Sequence, residues 1–148
     1  MHKDKYLGKQ KLASLIIAMI ALLWFYAAVS KLINFQHFRD AMQKQPFSPR
    51  FQTILIFGLP VVEVSIGSLL IIEKRRLAGL YISAVLFTAF IIYILLILAR
   101  FFGHIPCACG GLIERMGWTF HLWFNAGFLL LTILSTILIT KRKEGSDK

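Results

Sequence analysis

The stretch LAGLYISAVLFTAFIIYILLILARFF, residues 77–102, contains no acidic or basic residue before Arg100. A hydrophobic stretch of about 20 residues is long enough to cross the hydrocarbon core of a bilayer as a helix. Three further stretches, residues 12–33, 53–72 and 120–140, are similar, and Glu63 is the main charged residue inside them. Because lipid offers backbone groups no hydrogen-bond partners, each stretch is predicted to be helical. The sequence therefore predicts an all-α, integral membrane four-helix bundle.

The overall composition supports the same class of protein. The chain has 148 residues, of which 57% are hydrophobic and 14% aromatic, and its mean hydropathy is +0.70; soluble domains contain about 45–50% apolar residues. No change in composition divides the chain, so we predict a single membrane domain over residues 1–148. The net charge of +10 comes from Lys and Arg clusters between the apolar stretches, a pattern typical of helix orientation rather than of nucleic-acid binding.

The distribution of Lys and Arg predicts how the helices are oriented. Eleven of these residues lie at the N terminus, at residues 74–76 and in the C-terminal tail, whereas six lie in or beside segments 34–52 and 103–119. Cytoplasmic loops carry the excess of Lys and Arg in membrane proteins. We therefore expect both termini in the cytoplasm and both segments outside.

The outer segment 34–52 contains the sequence FQHFRDAMQ, in which Phe35, Phe38 and Met42 recur at helical spacing. This spacing predicts a short amphipathic helix, either along the membrane interface or as an ordinary surface helix. In the next span, Pro60 is expected to kink the helix.

The two cysteines, Cys107 and Cys109, lie one residue apart in the segment HIPCACGGLIERMGW, residues 104–118. An oxidising compartment favours a disulfide between them, but so small a ring is strained. A strained disulfide exchanges readily and is a poor structural crosslink. Positive groups favour the reactive thiolate, and His104, Arg100 and Arg115 are the candidates nearby. We predict a redox pair, with metal ligands or inert thiols as the alternatives.

The metal alternative would combine His104, Cys107, Cys109 and His121 in a Cys2His2 zinc site. Their spacing, H-x2-C-x-C-x11-H, does not match the usual C-x2–4-C pair followed by H-x3–5-H. The sequence therefore predicts no metal site.

The last span begins WTFHLWFN, which places Trp118, His121 and Asn125 on one helical face below the cysteine segment. Polar residues inside a membrane helix normally point into the bundle or a polar cavity. Two interpretations remain open. The face is either an interfacial aromatic belt with interhelical hydrogen bonds, or the wall of a pocket that relays protons or binds a quinone carbonyl.

Two further charged residues lie within the spans. An ionisable residue near the middle of a span, such as Glu63, is a functional candidate by default. Lys31, near the outer end of the first span, either extends to the surface or serves as a counter-ion. At about 1.5 Å per residue, Glu63 lies some 10–15 Å below the outer edge and Lys31 close to it. This difference in depth predicts separate structural roles more than a direct pair.

Taken together, FYAAVSKLINFQHF in the first span, PVVEVSIG in the second, and PCACGG followed by WTFHLWFN resemble the MauE/DoxX-like family of redox-associated bacterial membrane proteins, related to methylamine-utilisation protein E. The resemblance implies four membrane helices and a role in disulfide or electron transfer outside the cytoplasm, often beside a thioredoxin-like partner. It also implies that Cys107 and Cys109 are the redox pair. Ser30, Lys31, Glu63, Trp118, His121 and Asn125 match further motif positions.

These observations predict a membrane thiol–disulfide oxidoreductase component. Cys107 and Cys109 would exchange electrons with a thioredoxin-like protein on the outer face, with a quinone beside His121 and Asn125 as candidate electron acceptor. Related four-helix thiol enzymes that reduce quinone typically carry a C-x-x-C motif and a second cysteine pair, and this sequence has neither. The alternative is a non-enzymatic membrane subunit that anchors or matures a partner complex.

Overall fold

The computed structural model describes residues 2–101 and 117–146. Within these ranges the chain forms five α-helices and one short 3-10 helix. They are α1 (His2–Ile33), α2 (Phe35–Gln43), α3 (Pro49–Ile71), the 3-10 helix (Glu73–Arg75), α4 (Arg76–Leu98) and α5 (Trp118–Ser146).

Four segments are long and apolar enough to cross a membrane: Gln10–Ile33, Pro49–Ile71, Glu73–Leu98 and Trp118–Thr140. The prediction of an all-helical, multi-pass membrane protein is confirmed. The second helix begins four residues earlier than predicted, at Pro49, because proline is well tolerated in the first turn, where its missing N–H needs no partner. The helix then continues through Pro60 to Ile71.

The four long helices form a ring. In it, α1 packs against α3 and α5, and α4 packs against the same two helices. A contact across the ring joins α1 to α4, because the Trp24 indole N–H donates to Ser83 Oγ at 3.0 Å. The indole also stacks on Phe87, with ring centroids 4.8 Å apart. Trp24 therefore fixes the distance between two helices that are not neighbours.

Apolar side chains fill the ring and also cover its outside. Ile20, Leu70 and Leu80 are fully buried at the centre, whereas Leu22 and Val85 are largely exposed on the outer surface. In a bilayer the outer surface faces hydrocarbon, so exposed apolar side chains are expected there.

Helix α2 covers one end of the ring. Its buried Phe38 and Met42 pack against Ile56 of α3, and the Phe35 ring lies 5.9 Å from the Phe57 ring. The predicted short helix is confirmed, and its apolar face packs within the protein rather than against lipid. We call the end of the ring that α2 covers the α2 end. The last turn of α1, the first turns of α3, the end of α4 and the start of α5 also lie there.

Candidate functional site

A buried ion pair joins α1 to α3 near the α2 end. Lys31 Nζ lies 2.8 Å from Glu63 Oε1 and donates a hydrogen bond to it. The same ammonium donates to the backbone oxygen of Ala27 at 3.3 Å and lies 5.7 Å from the centre of the Phe38 ring. Lys31 is 6% exposed and Glu63 1% exposed. Two charges buried this deeply need each other, because lipid stabilises neither alone.

The expectation that depth separates Lys31 from Glu63 was wrong. Aligning the ends of the predicted spans, residues 33 and 53, would place Leu55 opposite Lys31. Instead, Phe57 contacts Phe35 and Gly67 faces Phe25, so α3 is displaced by about two turns towards the α2 end. The Lys31 side chain also leans back towards the start of α1, as helical side chains do. Both effects bring its ammonium to the depth of Glu63.

His121 and Asn125 lie on α5, one and two turns after its start at Trp118. Both point into the bundle and are buried, whereas Trp118 is half-buried. Asn125 Nδ2 donates to the backbone oxygen of His121 at 2.8 Å, a bond within α5 rather than between helices. His121 Nδ1 is buried and has no hydrogen-bond partner among the described residues. This nitrogen is therefore available to a ligand.

The Lys31–Glu63 pair and the His121–Asn125 pair lie at the same end of the bundle but face different helices. Lys31 and Glu63 occupy the contact between α1 and α3, whereas His121 and Asn125 project from α5, which packs against α1 and α4. Within residues 2–101 and 117–146, the structure gives no hydrogen bond or ion pair between the two groups.

A set of contacts that the sequence did not predict closes the α2 end. The Tyr93 hydroxyl donates to Gln45 Oε1, and the Tyr93 ring lies 5.4 Å from Phe47 and 6.4 Å from Trp118. Gln52 Nε2 donates to the backbone oxygen of Gln45 at 3.0 Å. These contacts join the connection after α2 to the end of α4 and the start of α5. Nothing in the sequence distinguishes Gln45 from an ordinary polar loop residue.

Cys107, Cys109 and His104 lie outside the described residues, so their predicted roles stay predictions. The described residues nearest to them in sequence are Phe101, just after α4, and Gly117, just before α5. Of the four residues of the alternative zinc site, His121 is the one described. Among the described residues there is no group of three His, Cys, Asp or Glu side chains placed to hold a metal ion.

Comparison with known proteins agrees with the predicted resemblance. A search of curated proteins and a search of solved structures each found no match to the chain. The family model described as methylamine utilisation protein MauE matches residues 9–138. This range includes the first three spans, all but the last two residues of the fourth, the cysteine segment, and the Lys31–Glu63 and His121–Asn125 positions. The chain therefore belongs to the MauE family of membrane proteins.

Proposed function

We propose that this MauE-family protein is a thiol–disulfide exchange component of the bacterial cytoplasmic membrane. A thiolate of an extracytoplasmic thioredoxin-like protein attacks one sulfur of a Cys107–Cys109 disulfide. The ring S–S bond breaks, a mixed disulfide forms and the second sulfur leaves as a thiolate. The partner's second thiol then releases the partner oxidised and leaves Cys107 and Cys109 as a dithiol.

The observation that carries the proposal is the position of the helix ends that flank the cysteines. Cys107 is the sixth residue after Phe101, and six residues of chain extend at most about 20 Å. Helix α4 has 23 residues and is about 35 Å long. Because the end of α4 and the start of α5 meet at the α2 end through Tyr93 and Trp118, this connectivity supports cysteines near that end, where Lys31, Glu63, His121 and Asn125 are buried.

The Lys31–Glu63 pair strengthens the expected orientation. Six Lys or Arg residues were assigned to the outer side from sequence, but Lys31 is buried and paired with a carboxylate. Five remain to face the outer surface, against eleven on the opposite side. The larger imbalance supports cytoplasmic termini and an extracytoplasmic α2 end.

Regeneration of the disulfide requires an electron acceptor, and His121 on the buried face of α5 offers it one hydrogen bond. A quinone supplies an acceptor of two electrons and two protons. The buried, unpartnered Nδ1 of His121 is suited to hold a quinone carbonyl by a hydrogen bond. Asn125, whose amide N–H is bound to the His121 backbone, would keep this turn of α5 rigid.

A cysteine-trapping experiment tests the exchange step. A thioredoxin carrying only its attacking cysteine is added to membranes, and adducts are separated after acid quenching and thiol alkylation. We expect an adduct with the unaltered protein, and none with Cys107→Ala or Cys109→Ala, since either change removes the ring disulfide. Ala108→Ser, which keeps both sulfurs, serves as the control and should retain the adduct. An adduct undiminished in both single variants would refute the exchange scheme.

Sidedness is tested separately with a membrane-impermeant maleimide applied to intact cells. The cysteines should be labelled only after treatment with an impermeant reductant. Labelling that requires permeabilised cells would place them in the cytosol and contradict the proposal.

If the double cysteine variant still supports assembly of a partner complex at the normal level, the cysteines are not needed and an anchoring role is favoured instead.

A further inference from the structure

Four buried side-chain atoms have no hydrogen-bond partner among the described residues: Ser30 Oγ, Glu63 Oε2, His121 Nδ1 and Ser135 Oγ. Three of them belong to the α2 half of the bundle. Ser30 lies three residues before the end of α1 and His121 three residues after the start of α5, while Glu63 is held at that depth by Lys31. Because three of the four unpartnered atoms lie in the same half of the bundle, one bound ligand or ligand cluster could satisfy all three.

Helix geometry places Ser30 on the side of α1 that faces away from α3. Phe25 lies against α3, because a Cβ atom at Gly67 would come within 2.9 Å of its ring. Ser30 follows five residues later and is therefore about 140° further round the helix. Since Ser30 is buried and α1 packs against α5 on its other side, its hydroxyl points to the same contact region as His121.

The bilayer cannot supply the missing partners. Lipid chains neither donate nor accept hydrogen bonds, so a polar atom buried at this depth is costly unless a bound molecule satisfies it. The Glu63 carboxylate oxygen can accept a hydrogen bond. The Ser30 hydroxyl and the His121 imidazole nitrogen can each donate or accept one. The Lys31 ammonium has three N–H groups and donates to Ala27 and Glu63, which leaves one N–H for a further acceptor.

We propose that water molecules bind inside the α2 half of the bundle, between the Lys31–Glu63 pair, Ser30 and His121, and that the carbonyl of a quinone, when one binds, replaces the water at His121 Nδ1. The ion pair carries no net charge, so the ligand must be neutral, small, and both a donor and an acceptor. Buried waters commonly make about three hydrogen bonds to groups of this kind. The protein thus contains a hydrated site within its membrane-spanning part. This site does not depend on the cysteine chemistry.

Hydroxyl-radical footprinting of the full chain in lipid nanodiscs tests the proposal, because radicals formed from a bound water oxidise the side chains beside it. Phe38 and Phe87 form a matched pair, with 1% and 2% exposure. Phe38 lies beside Lys31, whereas Phe87 stacks on Trp24 in the apolar core. We expect Phe38 to be oxidised severalfold faster than Phe87. Equal rates for the two rings would show that the site is dry and overturn the proposal.

A double variant separates bound water from access by bulk water. Replacing both charges, Lys31→Leu with Glu63→Leu, removes the groups that hold the water without adding an oxidisable sulfur, and should lower the oxidation rate of Phe38 to that of Phe87. Met42, buried in the same cluster as Phe38, reports on bulk access at this end and should be unaffected. Unchanged oxidation of Phe38 in the double variant would mean that the radicals come from bulk water, which also overturns the proposal. Should this variant fail to fold, equal oxidation rates for Phe38 and Phe87 in the unaltered protein would still overturn the proposal.

Discussion

Lys31 Nζ and Glu63 Oε1 lie 2.8 Å apart in the membrane-spanning part of the bundle and tie α1 to α3. Each is the other's only charged partner among the described residues. The pair also removes one positive charge from the surface at the α2 end, and Glu63 Oε2 has no hydrogen-bond partner among the described residues. The stability of the bundle and the proposed hydrated site therefore both depend on this contact.

Removing one member of the pair should cost more stability than removing both. Lys31→Met leaves the Glu63 carboxylate buried without a counter-ion, and we expect the free energy of unfolding to fall by about 3 kcal/mol. Combining it with Glu63→Met should recover most of the loss, because no uncompensated charge remains. Denaturant titration in mixed micelles measures both values. A double variant as unstable as Lys31→Met would show that the pair contributes through packing rather than charge.

The bond between Trp24 and Ser83 can be compared with a matched serine elsewhere in the core. Ser83→Ala removes the acceptor of the Trp24 N–H and should destabilise the protein by about 1 kcal/mol. Ser135 is equally buried, but its hydroxyl has no hydrogen-bond partner within the described part of the chain. Ser135→Ala should therefore be neutral or stabilising. The prediction fails if the two substitutions change the unfolding free energy equally.

Two glycines of α3 should respond in opposite ways to alanine. A Cβ at Gly67 would come within 2.9 Å of the Phe25 ring, and moving the ring should cost about 1–2 kcal/mol, which the gain in helix propensity of up to about 1 kcal/mol offsets only in part. At Gly58 the added Cβ meets no atom within 4 Å, and Gly58→Ala should gain up to about 1 kcal/mol from helix propensity. The same unfolding titration distinguishes them. Stabilisation by Gly67→Ala would show that α1 and α3 separate easily at this position.

Arg100 ends α4 in a conformation that favours glycine. Its φ is 56°, its N–H binds the Ile97 oxygen at 2.9 Å, and the Phe101 N–H binds the Leu96 oxygen at 3.1 Å, which together form a Schellman motif. A side chain in this left-handed region costs about 1 kcal/mol. Arg100→Gly should therefore raise the unfolding free energy by that amount, whereas Arg100→Ala should not. A gain of the same size from alanine would show that loss of the charge, not backbone strain, is responsible.

Much of the fold was predictable, because the membrane imposes strong requirements on sequence. The four spans and the short helix at residues 35–43 all follow from hydrophobic length and spacing, and the structure confirms them. The inward direction of His121 and Asn125 also followed from their polarity within a lipid-facing helix. The roles of Cys107 and Cys109 stay predictions, since these residues lie outside the described part of the chain.

The sequence by itself determined which segments cross the membrane, because a helix that satisfies its own backbone and presents apolar side chains is the form a single span can take in lipid. Only the tertiary structure decided how far α3 is displaced along α1. That displacement depends on close contacts such as Gly67 with Phe25, which side-chain shape sets and hydrophobicity does not encode. It brings Lys31 to Glu63 and closes the α2 end through Gln45 and Tyr93, so the candidate site depends on packing between helices.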